Sequence, residues 1–529
     1  MSRSQTKPHS PQVTVMMPST LSPWRFSSSS QCGQATIGTS EGYRPPILVC
    51  LQPTKSRPRG TMTVPDFRSI TIEEMVRRIK TRELTATEVT NAALERIELL
   101  NPALNAFVAV DADAARNQAA DIDRALDAGA EVGPLAGVPI GVKDLADAAG
   151  FRTTRGAMHL ADAAPAEHDS TEVARMRAAG CVIIGKTNTP EAGWTGDTFN
   201  SVFGATASPW GTNRSPGGSS GGTSAAISAG MIPLGTGSDG GGSIRIPSSL
   251  TGLSGHKPTQ GRVPSGPAPM GASDLSTVGP MARRIRDVAY VLDVVSGPSP
   301  GDLRSLDSIA PLRPRLDDPP APARVLWCPN IEGSPVDDEI LASCLSAVEQ
   351  MRRAGVEVVD IEPVMPEIIG PFVLLFYGGM VPTYRELFGT PAWDEITPGL
   401  RDILEGADER LTPDAIEDAR KQAQAASIRL AEAMSGFDAL LSPTVVGQTP
   451  VCEGPGIING EETDMWIGNT YPLNVTRRPA GTTNAGYTSD GMPVGLEIVG
   501  HQNDDGRVLE VTAWIEDLLG FNPIAPDIA

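Results

Sequence analysis

The sequence PGGSSGG at residues 216–222 is followed by DGGGSIRIP at residues 239–247, and these two stretches decide how the chain is interpreted. Glycine and serine are frequent from residue 208 to residue 262, but packable residues interrupt them at 225–229 and 244–246. Because glycine lets the backbone adopt conformations that other residues avoid, we interpret this region as a site built from loops and not as a flexible linker.

Elements on either side of this region predict an α/β fold. Thr71 and Thr85 each open a capping box, with a glutamate three residues later, before an apolar-periodic run. Strand-like runs occur at 137–142 and 181–184, with a helical stretch at 171–179 between them. Alternation of strands and helices is typical of a parallel sheet. We therefore expect a large mixed, mostly parallel twisted sheet, covered by helices on both faces.

Residues 1–61 differ from the rest of the chain. They are rich in serine and proline, lack periodicity and contain Glu41 as their one acidic residue. We expect a disordered tail, either an organelle transit peptide or an extension upstream of a true start at Met62. Residues 62–529 are expected to form the catalytic domain, with a mainly helical variable region at about 366–434.

Composition narrows the classes of partner. The formal net charge is −20, whereas nucleic acids and anionic membranes attract clusters of Lys and Arg, so neither is an expected partner. No uninterrupted apolar run approaches the roughly eighteen residues of a membrane span. The six cysteines are scattered, without a C-x-x-C pair or a histidine at metal-ligand spacing. We expect a cytoplasmic protein without a structural metal.

Two stretches match the sequence patterns of nucleotide-binding loops, but the residues around them do not predict the secondary structure that such loops need. Residues 180–187 fit the P-loop pattern, yet the middle of this stretch is typical of a strand, and Pro190 interrupts the helix that has to follow. Residues 235–240 fit G-x-G-x-x-G, but further glycines and Pro247 follow where a long helix is needed. An ATPase is therefore disfavoured, and no cofactor is expected.

Both glycine-rich stretches, together with GVKD at residues 141–144, resemble the amidase signature family. Further matches lie at 185–191, 255–262 and 490–496, so the resemblance covers most of the chain. The resemblance implies the fold of that family. It also implies a hydrolase that cleaves the carbon–nitrogen bond of a small-molecule amide, without cofactor or metal.

The resemblance further implies a role for each residue of a Ser-Ser-Lys triad. Ser243 is the expected nucleophile and Lys143 the terminal base. Ser219 connects them as a bridging serine after a cis peptide bond to Gly218. A serine hydroxyl is a weak nucleophile until a base removes its proton, and Lys143 is a base only when neutral. Burial therefore has to lower its pKa from about 10.4 towards about 7 or 8, and strand alternation is expected to turn Asp144 away from it.

Gly240, Gly241 and Gly242 are the expected oxyanion hole, since backbone N–H groups converge on an oxygen only where no side chain intrudes. His256 offers an alternative base, in a Ser219-His256 pair of the Ser-His-Asp type. The lysine relay is favoured because the family more often has an apolar residue at the position of His256. A catalytically inactive binding protein is the alternative from a different class.

Aromatic residues of the helical region are candidates for an apolar substrate pocket. They are Phe372, Phe376, Tyr377, Phe388 and Trp393. Aromatic residues at helical spacing more often belong to the core, so both interpretations stay open here. We expect a neutral, fairly hydrophobic substrate: an amide, anilide, ester or carbamate.

An amidotransferase A-type subunit is the alternative within the family. Such a protein releases ammonia from glutamine in a complex and needs an acid to hold the substrate α-amino group. Residues 466–470, where that acid is expected, read WIGNT, and the nearest acid is Asp464. A stand-alone hydrolase is therefore favoured, and a homodimer is one expected assembly.

Overall fold

Two large β-sheets form the centre of the part of the chain that is described. The computed structural model describes residues 64–266 and 274–528, which belong to one compact unit, Gly60–Ala529. The predicted tail, residues 1–61, lies outside the described residues. None of the helices in the two described ranges has the length and apolar character needed to span a bilayer.

Strands and helices alternate along most of the described residues. The strands are β1 Phe107–Val110, β2 Pro139–Lys143, β3 Val182–Thr187, β4 Leu234–Asp239, β5 Gly255–Lys257, β6 Thr277–Ala282, β7 Arg324–Trp327, β8 Glu357–Asp360, β9 Ala439–Pro443, β10 Ile457–Ile458, β11 Glu461–Glu462, β12 Ala480–Tyr487 and β13 Pro493–Val499. The α-helices are α1 Ile72–Lys80, α2 Ala86–Leu104, α3 Ala112–Asp127, α4 Thr171–Ala178, α5 Gly221–Ser228, α6 Arg245–Leu250, α7 Ile285–Val295, α8 Asp338–Arg353, α9 Ile369–Tyr384, α10 Pro391–Asp394, α11 Pro398–Arg410, α12 Pro413–Ala433, α13 Tyr471–Val475 and α14 Asp505–Leu519.

The first sheet has the strand order β1-β3-β2-β4-β6. Its central strands β3, β2 and β4 are parallel, whereas the edge strands β1 and β6 pair antiparallel. The central strands are buried, as parallel strands between helical layers are. Because parallel strands end at the same edge of a sheet, β2 and β4 bring their last residues, Lys143 and Asp239, to one place.

The second sheet has the strand order β5-β12-β13-β9-β7-β8, and β5 contacts β6 of the first sheet. The prediction of a mixed α/β fold with helices around its sheets is confirmed. Parallel pairing is less extensive than predicted, since within the described ranges it is confined to β3-β2-β4 and to β9-β7-β8. Strands β12 and β13 form a hairpin, and a short turn can join only antiparallel strands.

Local sequence signals agree with the structure. Thr71 and Thr85 accept hydrogen bonds at the starts of α1 and α2, as the capping boxes predict. The P-loop match at 180–187 runs into β3, and the match at 235–240 lies almost entirely in β4. A strand leaves no pliable loop around a phosphate, so both nucleotide-binding interpretations are wrong.

Residues 369–433 contain helices α9 to α12, and both α11 and α12 pack on α9. Their buried side chains share a core with residues of the second sheet, including Leu326 of β7 and Leu440 of β9. This contact places α9 beside the edge of the first sheet where Lys143 and Asp239 end their strands, because Phe376 of α9 and Lys143 line one cavity.

Candidate active site

Lys143, the last residue of β2, is buried within a cluster of hydroxyl groups. Its Nζ atom lies 2.7 Å from Ser219 Oγ, and 2.9 Å from both Ser220 Oγ and Ser238 Oγ. The residue is 1 % exposed. Among the described residues, all hydrogen-bond partners of Nζ are neutral. Lys143 is thus a buried amine without a counter-ion in contact.

The ionisation of Lys143 follows from this burial. Burial lowers the pKa of Lys143 to about 7, and the negative charge of Asp239 opposes the decrease. A desolvated ammonium group is disfavoured relative to the neutral amine. The adjacent Asp144 turns away, and its carboxylate lies 3.0 Å from Lys186 Nζ. The neutral base is therefore populated near pH 7, and Asp144 has the orientation that strand alternation predicts.

Three hydroxyl groups surround Lys143, and two of them are enough to accept the N–H groups of a neutral amine. Ser220 Oγ donates to the carbonyl of Ser238 at 3.4 Å, so it acts as an acceptor towards Lys143 Nζ. A neutral amine has two N–H donors and one lone pair. When the two N–H groups point to Ser220 and Ser238, the lone pair faces the hydroxyl of Ser219, which is the geometry of a proton acceptor.

Ser219 and Ser243 reach the same cavity from two different loops. A cis peptide bond joins Gly218 to Ser219, as the resemblance implies. Ser243 lies in the turn after β4, and its carbonyl accepts a hydrogen bond from Ser220 N at 3.3 Å. The Ser243 hydroxyl has no hydrogen-bond partner in the described ranges. Both serines and Lys143 line one cavity, so the structure brings the three predicted triad residues together.

A buried ion-pair network fixes the turn that carries Ser243. Asp239 accepts a hydrogen bond from Gly242 N–H at 2.9 Å and pairs with Arg245 at 2.9 Å. Arg245 also lies 2.6 Å from Glu497 of β13, which connects the turn to the second sheet. The three charged side chains are fully buried, and buried charges are tolerated when each is paired and hydrogen-bonded. The backbone around Ser243 is therefore held in place.

The three glycines predicted as the oxyanion hole differ in what their amides do. The Gly242 N–H already donates to Asp239 at 2.9 Å, so this amide is not available to a substrate oxygen in this conformation. The amides of Gly240, Gly241 and Ser243 have no acceptor in residues 64–266 and 274–528. These three amides are the candidates that the structure leaves for an oxyanion.

The predicted pocket residues Phe376 and Phe372 lie at the site. Phe376 lines the cavity, and Phe372 stacks on it with ring centroids 5.2 Å apart. A Cβ atom at Gly240 would lie 2.4 Å from the Phe376 ring, and one at Gly241 would lie 2.8 Å from the Phe372 ring. The absence of side chains at both glycines thus lets the two rings pack against the turn.

Tyr377 and Trp393, also predicted for the pocket, are not among the described residues that line the cavity. The Tyr377 hydroxyl donates to the carbonyl of Trp194 at 2.7 Å, and the Trp393 indole donates to Glu405 at 3.0 Å. Both rings belong to the core around the helical segment. Successive helical residues point about 100° apart, so Tyr377 cannot face the cavity where Phe376 does.

The cavity has a volume of about 190 Å³. Met380 and Tyr384 line it together with Phe376, and the three recur at every fourth position on one face of α9. The four-residue spacing from Phe376 is the sequence signal that could have identified Met380 and Tyr384 as cavity-lining residues. Ser220 and Ser238, which contact Lys143, were not predicted as site residues. Nothing in their positions distinguishes them from the other serines of the region.

His256 does not take part in this constellation. It lies in β5, fully buried, and its Nε2 atom is 3.0 Å from Asp505 Oδ1. It is not among the cavity-lining residues of the described chain. Ser219 therefore has a lysine, not a histidine, as its partner, and the Ser219-His256 alternative is wrong. No group of three or more His, Cys, Asp or Glu side chains in the two described ranges is suited to hold a metal ion.

Comparison with known proteins agrees with this geometry. A family model described as Amidase matches residues 88–509. An acylamidase of Rhodococcus erythropolis is 35 % identical over 468 residues, which cover 86 % of this chain and 96 % of the relative. The A-type subunit of the glutamyl-tRNA(Gln) amidotransferase of Synechococcus sp. (strain CC9605) is 33 % identical over 504 residues, which cover 88 % of this chain and 99 % of the relative.

Solved structures share the fold over the same length. A bacterial aryl acylamidase of the amidase signature family aligns with a TM-score of 0.80 at 28 % identity, covering 85 % of this chain and 96 % of that protein. The substrate complex of 6-aminohexanoate cyclic dimer hydrolase aligns with a TM-score of 0.77 at 28 % identity, covering 87 % of this chain and 99 % of that protein. The chain belongs to the amidase family, the amidase signature enzymes.

Proposed function

We propose that this enzyme hydrolyses the carbon–nitrogen bond of small-molecule amides through an acyl-enzyme on Ser243. The observation that carries the proposal is Lys143, a buried amine with a pKa of about 7 whose Nζ atom lies 2.7 Å from Ser219 Oγ. Strongly shifted pKa values in a cavity are typical of functional groups. Because Ser243 lines that cavity too, a base for a serine nucleophile accounts for the buried lysine.

The proposed chemistry moves one proton along two steps. The lone pair of Lys143 accepts the proton of Ser219, while Ser219 accepts the proton of Ser243, whose Oγ bonds to the amide carbon. In the reverse direction Ser219 protonates the leaving nitrogen and regains a proton from Lys143 as the C–N bond breaks. Water then attacks the acyl-enzyme in the same way and releases the acid. The first transfer requires Ser243 Oγ to come within about 3 Å of Ser219 Oγ, a contact that often tightens only with substrate.

Oxyanion stabilisation is assigned to the free amides of the turn after β4. Gly240, Gly241 and Ser243 supply N–H groups without another acceptor in the described part of the chain. Loss of one oxyanion donor costs about 3 to 4 kcal/mol of transition-state stabilisation in other serine hydrolases. In this proposal Asp239, which binds the Gly242 N–H, orients the turn and does not contact the substrate.

The lining of the cavity supports a substrate with an apolar group. Phe376, Met380 and Leu160 all line it, and apolar walls with few polar groups are typical of small-molecule sites. The names of the acylamidase and aryl acylamidase relatives support amides, including anilides. Esters and carbamates can form the same acyl-enzyme, and they stay within the expected range.

Free cysteines and the net charge support a cytoplasmic protein without a nucleic-acid partner. The thiols of Cys181, Cys328, Cys344 and Cys452 are free, which supports a reducing, cytoplasmic compartment. The net charge of −20 supports the expectation of no nucleic-acid partner. The homodimer stays a prediction.

An amidotransferase A-type subunit is the second candidate function. The similarity to the Synechococcus amidotransferase protein favours it, at 33 % identity. Asp464, the acid nearest to the expected position, is not among the described residues that line the cavity. A stand-alone amidase is therefore the better supported candidate, and glutamine hydrolysis distinguishes the two.

A fluorophosphonate probe combined with a substrate panel tests the proposal. With the full-length protein, Ser243→Ala is expected to abolish labelling and to lower kcat for an acyl anilide by about 10⁴-fold or more. Ser248→Ala, a buried serine of α6 outside the cavity lining, is the matched control and is expected to keep labelling. Labelling that survives in Ser243→Ala rejects this nucleophile. Ammonia release from glutamine as the fastest reaction of the panel would favour the amidotransferase.

A further inference from the structure

Two hydrogen-bond donors in the active-site cavity lack an acceptor from the protein. Arg155 lines the cavity, and its guanidinium forms no hydrogen bond or ion pair with the described residues. Tyr384 of α9 also lines the cavity and is 6 % exposed, and its hydroxyl likewise has no acceptor there. Arg155 is only partly buried, and neither its guanidinium nor the Tyr384 hydroxyl is among the fully buried side-chain atoms without a partner. Both donors are thus open to an acceptor that a ligand in the cavity supplies.

Arg155 and Tyr384 both line the cavity, and the charge of Arg155 acts on Tyr384. Burial raises the pKa of Tyr384 and Glu191 adds to the increase, whereas the charge of Arg155 opposes it. Burial lowers the pKa of His159, Glu395 opposes that decrease, and Arg155 adds to it. The His159 ring packs edge-on against Tyr384, with ring centroids 6.1 Å apart. We call Arg155, His159 and Tyr384 the arginine end of the cavity.

The backbone of Arg155 is fixed on both sides. Its N–H donates to the carbonyl of Asp144 at 3.1 Å, and its carbonyl accepts from Ala192 N at 2.7 Å. Its φ angle is +54°, in the left-handed region that residues with side chains rarely occupy. Surrounding contacts have to hold such a residue in place. The backbone of Arg155 is therefore held at a defined position in the chain segment that follows Lys143.

Other charged groups of the cavity do not neutralise Arg155. Asp147 and Glu172 line the cavity, but neither forms an ion pair with Arg155 in the described ranges. Burial raises the pKa of Glu172 to about 8, so this carboxyl is mostly neutral at pH 7. Arg304 pairs with carboxylates of its own, and Lys143 has a lowered pKa. Arg155 is thus a cation of the cavity that has no carboxylate at ion-pair distance in the described ranges.

We propose that the arginine end binds a carboxylate of the substrate, so that this enzyme acts on amides that carry an acidic group besides the scissile bond. This inference rests on the proposed function, because it assigns the substrate of the same site. A carboxylate accepts hydrogen bonds from a guanidinium and a phenol at once, and such charge-assisted bonds are strong. The neighbouring side chains of Leu160 and Met380 contact the apolar part between acid and amide.

The chain as a whole is acidic, with a net charge of −20. A field of one sign repels ligands of the same sign, so a positive group inside the cavity favours the binding of an anionic amide. Arg155 supplies that group inside the cavity. The expected substrate is therefore no longer neutral but has an apolar body and an acidic end.

Matched pairs of anilides test the inference and locate the acid. The mono-4-nitroanilide of glutaric acid, compared with that of 5-oxohexanoic acid, exchanges a carboxylate for a neutral methyl ketone on the acyl side. N-acetyl-4-aminobenzoate, compared with N-acetyl-4-aminoacetophenone, makes the same exchange on the amine side. In at least one pair, kcat/KM of the wild-type enzyme is expected to be about 10- to 100-fold higher for the acid, mainly through KM.

Variants assign the preference to the arginine end. Arg155→Gln is expected to lower the acid-to-ketone ratio of kcat/KM by about 10- to 100-fold, and Arg155→Lys is expected to retain part of the ratio because a charge remains without the planar fork. Tyr384→Phe is expected to lower the ratio by about 3- to 10-fold. Arg152→Gln is the matched control, since Arg152 is exposed in the same loop and outside the cavity lining, and the ratio should not change.

Two results would overturn the inference while leaving the proposed function intact. The first is a ratio near one for both pairs in the wild-type enzyme, with measurable hydrolysis of the ketone substrates. The second is an equal loss for acid and ketone in Arg155→Gln, which indicates a purely structural role. Failure of the proposed function has a different pattern, in which no anilide is hydrolysed or Ser243→Ala keeps its activity, and that pattern overturns both.

Discussion

Lys143 and Lys186 are two buried lysines on neighbouring parallel strands, and their surroundings differ. Lys143 ends β2, whereas Lys186 of β3 is paired in register with Val142. Both lysines are 1 % exposed. Side chains of adjacent strand residues point to opposite faces of a sheet, so Lys186 shares a face with Val142 and faces away from Lys143. The two lysines are thus equally buried, but they lie on opposite faces of the first sheet and have different neighbours.

The neighbours of each lysine give it a different chemistry. Lys186 Nζ lies 3.0 Å from Asp144 and donates to Thr153 Oγ1 at 2.9 Å. Burial lowers the pKa of Lys186, and the charge of Asp144 opposes the decrease. Lys143 contacts hydroxyl groups and, in the described ranges, has no carboxylate at ion-pair distance. Burial lowers the pKa of both lysines, but Lys186 has a carboxylate in contact whereas Lys143 contacts hydroxyl groups that line the cavity with it.

Removal of the Lys143 amine is expected to have the largest effect. Lys143→Met keeps the length and apolar stem of the side chain but removes the proton acceptor, so kcat/KM should fall by about 10³-fold or more. The free energy of unfolding should not decrease, because a buried amine without a counter-ion is replaced by an apolar group. Steady-state kinetics on an anilide and urea unfolding measure the two quantities. A variant that keeps a tenth of the activity would remove Lys143 from the mechanism.

The same substitution at Lys186 is expected to affect stability instead. Lys186→Met leaves Asp144 buried without its counter-ion, and breaking a buried pair in this way costs about 3 to 5 kcal/mol. Activity per folded molecule should remain within about tenfold of wild type, since Lys186 does not line the cavity described here. Urea unfolding and active-site titration measure these quantities. The control is Lys421→Met at an exposed position, with an expected change below about 0.5 kcal/mol.

A double substitution tests whether Asp144 and Lys186 stabilise the fold as a pair. Asp144→Asn combined with Lys186→Met removes both charges and should recover part of the lost stability, because the unpaired carboxylate is gone. If Lys186→Met loses activity as severely as Lys143→Met while it remains folded, the distinction between a catalytic and a structural lysine fails.

That Lys143, Ser219 and Ser243 lie around one cavity could be predicted from the family resemblance, because the motifs that carry the resemblance are local. The motifs around Ser219 and Ser243 combine glycine runs with serines at fixed spacing, and Lys143 follows an apolar strand. Strand alternation also predicted the orientation of Asp144, since a period of two does not depend on distant contacts. The mixed α/β class followed from alternation of strands and helices in the first half of the chain.

The cavity lining could not be predicted because it depends on contacts between distant segments. Which face of α9 meets the cavity is decided by packing of residues 369–433 on the second sheet, so Phe376 could not be separated from Tyr377 by sequence. The use of the Gly242 amide depends on the Asp239 carboxylate, which pairs with Arg245 six residues further along the chain, and Arg245 in turn pairs with the distant Glu497. Such long-range pairing has no signature in the sequence around each residue.

The smallest effect expected from the comparison is a pH dependence that belongs to Lys143. Its pKa of about 7 lies below the ordinary value of 10.5, so the neutral base is depleted below pH 7. The value of kcat/KM should therefore rise about tenfold per pH unit up to about pH 7 and level off above it. A profile that is flat from about pH 6 to 9, when the chemical step limits the rate, would contradict a lysine base.

The free energy of unfolding should also depend on pH through Lys143. The direction of this dependence is opposite to that expected from the buried acids. Between about pH 7 and 10.5 the unfolded chain holds a proton on Lys143 that the folded chain has released, so the free energy of unfolding rises with pH in that window. Burial raises the pKa of Glu497 and of Glu516 to about 7, and these groups act with the opposite sign, below pH 7. Lys257, whose pKa burial lowers to about 8, adds to the increase in the free energy of unfolding above that pH.

Urea unfolding of wild type and of Lys143→Met at pH 7 and pH 9 isolates the contribution of Lys143. The difference in the free energy of unfolding between the two proteins should change between these pH values. A difference that stays constant would place the pKa of Lys143 in the folded protein near the ordinary value.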